Sequence, residues 1–268
     1  MSNDAKRDLP RQVATVVGAL FQVLAGAVVP IGAIAKETPS LVIPADYAFA
    51  IWGPIFVLCL AYAAYQALPA NRQNPLLRRV GWYFAGAFFL NGLWEVFVPL
   101  RQPILLQLIL VGIFACLAIS YLRLVRFERG VLNRADRWFV ALPLGLLFGW
   151  ITAANAVSFN DTLVELGLLG VGVGGALVGA LLLLVGTTIA SVMISVGGAG
   201  PWQGLLAYAA AVLWALAGVV VNHYDASLLT TGAALLSVAL VAVALIRALR
   251  RRRPHIEGGR SSVRPGAA

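Results

Sequence analysis

Three side chains in the third apolar stretch of the chain, Asn91, Trp94 and Glu95, stand at spacings that put them on one helical face. An amide, an indole and a carboxyl group so placed can hold the polar edge of a ligand or pass a proton. Ionisable residues within apolar stretches usually mark a site, and this chain has few of them. Asn155 ends the fifth stretch, Asp46 and Tyr47 precede the second, and Asn222, His223 and Asp225 form the turn between the last two. Trp52, Trp94 and Trp150 fall in the same half of their stretches as these polar groups. Trp82, Trp138 and Trp202 lie at the opposite boundary, where an interfacial aromatic belt belongs. Trp52 and Trp150 sit about one turn too deep for such a belt. Flat side chains at that depth suit a pocket for a planar apolar ligand, with Asn and Glu fixing its polar edge. Packing and ordinary interfacial roles account for the same residues without a ligand, and at this stage both readings stand.

Catalysis has little to work with, and no enzyme is expected. The two histidines, His223 in a turn and His255 in the tail, do not provide a pair of axial ligands for a membrane haem. There is no serine elbow, metal motif or pair of intramembrane carboxylates. Cys59 and Cys116 lie inside apolar runs without CxxC spacing and read as small hydrophobic filler. The run Gly167, Gly170, Gly172, Gly174, Gly175 and Gly179 lacks the strand and the Lys-Ser/Thr of a phosphate loop. Its four-residue spacings, Gly170/Gly174 and Gly175/Gly179, predict close helix packing instead.

The elements that must position these residues follow from composition. Of 268 residues, 60% are hydrophobic and only 12% charged, so apolar surface is left over that water cannot cover and lipid must. Eight apolar stretches predict eight membrane helices: Val13–Ala35, Tyr47–Leu68, Val80–Leu100, Pro103–Leu124, Trp138–Val157, Val164–Val196, Trp202–Val221 and Ala226–Ile246. The sixth, at 33 residues, is overlong, so either its beginning belongs to the preceding loop or the helix is strongly tilted. The fold class is all-α, a polytopic transmembrane bundle.

Charge distribution orients it. Eighteen of the 20 Lys and Arg residues lie on one side of these stretches, leaving Lys36 and Arg101 on the other. That asymmetry predicts both termini in the cytoplasm, in the bacterial inner membrane. The formal charge of +9 therefore reads as topology signals and lipid contact, not a nucleic-acid face. Ala33-Ile34-Ala35 after the first stretch resembles a signal-peptidase site, but a 23-residue apolar run reads as a retained helix. Arg250-Arg251-Arg252-Arg253 reads as a stop-transfer anchor or a contact with anionic headgroups, and the sequence beyond Pro254 as disordered.

Residues 15–158 resemble the TspO/MBR family of tryptophan-rich sensory proteins, which includes the mitochondrial translocator protein. The resemblance rests on Pro39 and Pro44-Ala45-Asp46-Tyr47-Ala48-Phe49-Ala50-Ile51-Trp52 leading into the second stretch, with Phe56 one turn on. It rests also on Asn91-Gly92-Leu93-Trp94 in the third, and on Pro143 and Asn155 twelve residues apart in the fifth. The loop's aromatic spacing is shifted by one residue, its first Trp is missing, and Trp150 falls three residues later than the family's Trp. The resemblance implies a five-helix unit over 13–158, with residues 1–12 as a cytoplasmic N-terminus, 159–248 as three additional helices and 249–268 as a basic tail.

It also implies binding of tetrapyrroles, sterols or similar flat apolar molecules, in a sensory, regulatory or transport role, with no required cofactor beyond a porphyrin or haem-like ligand. By position the resemblance nominates Trp52, Asn91, Trp94, Pro143 and Asn155, and the reading of the residues themselves adds Trp150 and Glu95. Expected partners are membrane lipids, a hydrophobic small molecule and a second copy in a homodimer. The competing readings are a secondary transporter coupled to protons through Glu95, although no inverted repeat is evident, and an assembly subunit without a ligand. The topology is testable: reporter fusions after Arg72 and Arg253 should read cytoplasmic and one after Lys36 external, and an external C-terminal fusion would break the eight-span arrangement.

Overall fold

A computed structural model of the chain describes residues 3–29, 40–127, 132–170 and 172–252. Lys36, Pro39, Arg129, the Ala33-Ile34-Ala35 site and the tail from Arg253 lie outside the described residues. The helices are α1 (Asn3–Val28), α2 (Trp52–Ala67), α3 (Pro75–Phe97), α4 (Pro103–Val125), α5 (Leu142–Glu165), α6 (Val173–Gly197), α7 (Trp202–His223) and α8 (Leu228–Arg250). With their flanking turns, eight helices among the described residues are long and apolar enough to cross a membrane. No strand occurs among the described residues.

Local chemistry explains where the helices start and stop. α3 starts five residues before the apolar stretch because Asn74 Oδ1 accepts from the backbone N–H of Leu76 at 2.9 Å, with Pro75 in the first turn. Ser227 caps α8 in the same way, accepting from Thr230 N at 3.2 Å. α5 is entered through a capping box between Asn133 and Asp136, then a π-helical segment Arg137–Ala141. The helix runs to Glu165, past the predicted end at Val157. The overlong sixth stretch therefore divides: Val164 and Glu165 finish α5, a connection with Gly167 at φ +69° follows, and α6 begins at Val173.

α1 differs most from the predicted first helix. It begins at Asn3, so the segment read as a cytoplasmic N-terminus is its first turns. Its polar side chains face inward: Asp8, Arg11, Gln12, Thr15 and Gln22 are buried, while Val13, Val17, Leu20, Leu24 and Val28 are exposed. Burying Arg11 is affordable because its guanidinium donates to Gln66 Oε1 at 3.2 Å and to the Arg72 carbonyl at 3.1 Å, and pairs with Asp8 at 3.7 Å. Asp8 also accepts from Arg78 Nε at 3.0 Å, and Gln12 Nε2 donates to the Gln66 carbonyl at 2.6 Å. In the same region, Asp136 Oδ1 accepts from Tyr65 and from Asn74, both at 2.9 Å, and so joins α2, α3 and α5.

The C-terminal helices are tied to the first five. Arg252, read from sequence as an anchor, donates to the carbonyls of Gly197, Gly198 and Gly200 and closes the α6–α7 turn. The tightest seam joins α5 to α7. A Cβ on Gly145 would collide with the Gly204 carbonyl, and one on Gly149 with the Tyr208 carbonyl. Between helices in lipid, where apolar burial adds little, such backbone approach is a main source of association. The predicted glycine run divides: among the described residues nothing stands within 4 Å of a Cβ built on Gly170, Gly172 or Gly174, whereas one on Gly175 would collide with the Gly170 carbonyl and one on Gly179 would meet Val42 and Asn160.

Gly149→Ala should therefore destabilise the bundle by about 1–3 kcal/mol, the usual range for overpacking, seen as a lower midpoint of thermal unfolding in detergent. Gly53→Ala, with nothing within 4 Å among the described residues, should leave that midpoint unchanged.

Candidate functional site

At the end of the bundle opposite Arg11 and Arg252, a short segment runs over the helices before α2 begins. Ile43–Pro44 leads into a 3-10 turn, Asp46–Ile51, and α7 holds both. Ala45 N donates to the Gly218 carbonyl at 2.9 Å, and Gly218 lacks a Cβ where Pro44 and Ala48 press against it. Trp214 Nε1 donates to the Ala48 carbonyl at 2.8 Å, and its ring meets Tyr47 edge-on at 5.3 Å. The Ile43 carbonyl accepts from Asn222 Nδ2 at 3.1 Å and from His223 Nε2 at 3.0 Å. Asn222 and His223, expected from sequence in the turn after α7, are its last two residues, and from there they fasten this segment down.

Beneath it lies a cavity of about 180 Å³. Phe49 and Trp52 line one wall, Asn91 and Trp94 of α3 another, and Trp150 and Thr152 of α5 a third. Trp52 stacks on Phe56 with ring centroids 5.3 Å apart and meets Trp150 edge-on at 6.2 Å. Phe49 meets Trp150 edge-on at 5.9 Å. Both approaches suit the charge distribution of aromatic rings. α6 and α7 complete the enclosure with Leu183, Thr187, Val212, Ala215 and Leu216. Arg101, Asp161 and Glu165, at the ends of helices, add ionisable groups to the lining.

Several polar atoms of the lining are satisfied within the protein. Thr152 Oγ1 donates to the Phe148 carbonyl at 2.8 Å and accepts from Tyr208 at 3.0 Å, and Thr187 Oγ1 donates to the Leu183 carbonyl at 2.7 Å. Three are not. Asn91 Oδ1, Trp94 Nε1 and Asp161 Oδ1 are buried without a hydrogen-bond partner among the described residues. Leaving such an atom unpaired costs about 1–3 kcal/mol, so three of them on one cavity give a bound polar group something to gain.

The residues singled out from sequence separate into two sets. Trp52, Asn91, Trp94 and Trp150 converge on the cavity. Asn155 does not line it; its Nδ2 donates to the Ile151 carbonyl at 2.9 Å and the Leu110 carbonyl at 3.4 Å, and its Oδ1 accepts from Gln107 at 3.3 Å. Pro143 is buried in the first turn of α5 next to the Gly145 contact, away from the lining. Glu95 is fully buried on the α1 side of α3, close to Gly26, and reaches the cavity only through Asn91, whose Nδ2 donates to Glu95 Oε1 at 3.0 Å. The α6 and α7 residues of the lining escaped sequence reading. Leu183, Val212 and Ala215 have no feature that separates them from lipid-facing neighbours, and Thr187 alone breaks the apolar pattern.

Eight apolar helices among the described residues, with an internal aromatic cavity lined from α2 to α7, define an integral membrane protein of the polytopic helical class. The family model described as TSPO-like protein matches residues 12–246, and the chain belongs to that family. The match runs well beyond residue 158 and takes in α6, α7 and most of α8. No curated protein and no solved structure matches the chain.

The geometry gives Asn155 a bracing role between α4 and α5. Asn155→Leu should lower stability by about 1 kcal/mol, the scale of interhelical hydrogen bonds in membranes, measured by thermal unfolding in detergent. An unchanged midpoint would show that these bonds brace nothing.

Proposed function

We propose that the cavity binds a planar apolar ligand, of the tetrapyrrole or sterol-like class that membership in the family suggests, without covalent catalysis and in a sensory, regulatory or transport role. The observation that carries this reading is the convergence of Trp52, Trp94 and Trp150 from three helices onto one cavity, with Asn91 Oδ1 and Trp94 Nε1 unpartnered on its wall. Aromatic faces supply contact area, and a few polar atoms set orientation, as is usual for small-molecule sites. The volume, about 180 Å³, compares with the roughly 150 Å³ of an apolar cavity that takes benzene. One ring or a fused pair fits. A larger ligand would insert an edge here and extend past Arg101, Asp161 and Glu165. Orientation in the bilayer belongs to the same proposal, with both termini in the cytoplasm and the cavity in the outer half of the bacterial inner membrane.

Glu95 supports a second reading. It is a carboxyl group buried among apolar helices, with Oε2 unpartnered among the described residues, and such a group can carry a coupling proton. Proton-linked uptake into liposomes that Glu95→Gln abolishes would favour a transporter.

The binding reading is tested by titrating the purified protein with a porphyrin and following tryptophan fluorescence. Saturable quenching is expected. Trp52→Leu and Trp150→Leu should each weaken it roughly three- to tenfold, from stacking contacts of about 0.5–1.5 kcal/mol. Trp138→Leu, whose ring packs on Trp202 at the opposite end, should leave it nearly intact. Equal losses at all three sites would point to general destabilisation, and no saturable quenching would exclude tetrapyrrole binding.

A further inference from the structure

The lining of the cavity changes along its length. Trp150 and Asp161 both line it from α5. They stand eleven positions apart, close to three full helical turns, so they share one face about 16 Å apart along the axis. Ala154 and Val157 fill that face between them, and both line the cavity. On α4 the Leu110 carbonyl accepts from Asn155 and the Pro103 carbonyl from Thr162, so Leu110, Leu106 and Pro103 cover the same interval from the other side. The middle of the cavity is therefore aliphatic. One end is aromatic, where Phe49 and Trp52 meet Trp150, and fully buried Asn91 has its Oδ1 unpartnered among the described residues. The other end holds Arg101, Asp161 and Glu165, while α6 brings no ionisable side chain to the lining. Neither Arg101 nor Glu165 is without a partner. The Ser40 hydroxyl reaches the Asp161 carboxyl group, yet Oδ1 of that group is buried without a hydrogen-bond partner among the described residues. Two carboxyl groups one turn apart, against one guanidinium, make this end suited to a cation.

We propose that the cavity takes an elongated cationic amphiphile: a flat ring at the Trp52–Trp150 end, an aliphatic tether along Val157 and Leu106, and an ammonium group that donates to Asp161. An ammonium has three donors and no acceptor, and its hydrogen bond to a carboxylate is of the strong, charge-assisted kind. The Asp161 carboxyl group serves in either state. Ionised, it pairs with the ammonium directly. Protonated, it releases its proton to solvent as the ammonium arrives, and no other covalent bond changes. A hydroxyl in the ammonium's place gains only a neutral hydrogen bond, and a carboxylate meets two carboxyl groups. A short tether holds the ammonium back in the aliphatic middle, where nothing pairs with it. This inference rests on the binding reading above and adds the length and charge of the ligand.

The test uses the full chain in an uncharged detergent and isothermal titration calorimetry with naphthalene, naphthylpentylamine, naphthylpentanol, naphthylpentanoate and naphthylethylamine. Titrations run at about pH 8, where an alkylamine keeps its charge and few protons compete with it for the carboxyl group. The pentylamine should bind about five- to tenfold tighter than the pentanol, the effect of one hydrogen bond between charged groups. It should also bind at least about fivefold tighter than the ethylamine, whose ammonium does not reach Asp161. In Asp161→Asn the preference for pentylamine over pentanol should shrink to within about twofold. A purely structural effect of the substitution would weaken both and preserve their ratio, which would overturn the proposal. Equal affinity for pentylamine and pentanol in the unsubstituted protein would overturn it as well. So would tighter binding of the pentanoate, which would make Arg101 the selecting group, or an ethylamine that matches the pentylamine. If naphthalene binds and the tethered compounds show no preference, this inference fails alone. If none of the five binds, the ligand-cavity reading fails and takes this inference with it.

Discussion

The backbone approach of α5 to α7 at Gly145, Gly149 and Gly204 sets the geometry of everything around the cavity. Helices in lipid gain little from burying apolar surface against each other, so they settle where backbones come close and where polar groups find partners. Here two glycines four residues apart on α5 admit the carbonyls of α7. With α7 seated there, its later turns bring Trp214, Gly218, Asn222 and His223 under the segment preceding α2, and each of them bonds that segment's backbone. The roof of the cavity therefore hangs from α7, while Phe49 and Trp52 project from that roof against Trp150. The C-terminal helices are a structural part of the site.

A second constraint acts at the opposite end. From Asp8 onward, α1 presents its charged and amide side chains to the protein and most of its exposed aliphatic ones outward, the reverse of a helix on a soluble surface. The arrangement holds because partners are at hand: Gln66, Arg72 and Arg78 satisfy most of what Asp8, Arg11 and Gln12 bring. Removing one partner would strand another in a low-dielectric interior, where an unpaired charge is costly. The network therefore fixes the rotation of α1, and with it the face that carries Gln22 towards Cys59 and Gly26 towards Glu95.

Much of this was legible in the sequence. Eight spans follow from run length and hydropathy, and the family follows from the Asn91–Trp94 spacing, the Pro143–Asn155 spacing and the aromatic segment ending at Trp52. The depth of Trp52 and Trp150 pointed to a pocket, and the structure has a cavity there. What stayed hidden depends on partners distant in the chain. Asp8 and Arg11 read as cytoplasmic because nothing local shows that Arg78 and Gln66 will meet them. Gly145 and Gly149 have the same spacing as the glycines of the 167–179 run, and only the approach of α7 makes theirs the closer seam. Leu183, Val212 and Ala215 line the cavity as unremarkable aliphatic residues, since facing lipid and facing a cavity demand the same chemistry.

The two asparagines taken from one family pattern show how packing separates residues that sequence treats alike. Asn155 has both amide atoms engaged, across to α4 and back along its own helix, so a ligand could gain from it only by breaking bonds already made. Asn91 has one engaged atom and one orphan. In a hydrocarbon setting an orphan is retained at a cost of about 1–3 kcal/mol, and neighbouring Trp94 bears the same cost at Nε1. A bundle shaped for stability alone would remove that cost with two apolar side chains, as it has done at most positions along α3. Keeping a donor and an acceptor unpaired on the wall of an aromatic cavity makes sense when a third molecule supplies the missing halves of both bonds.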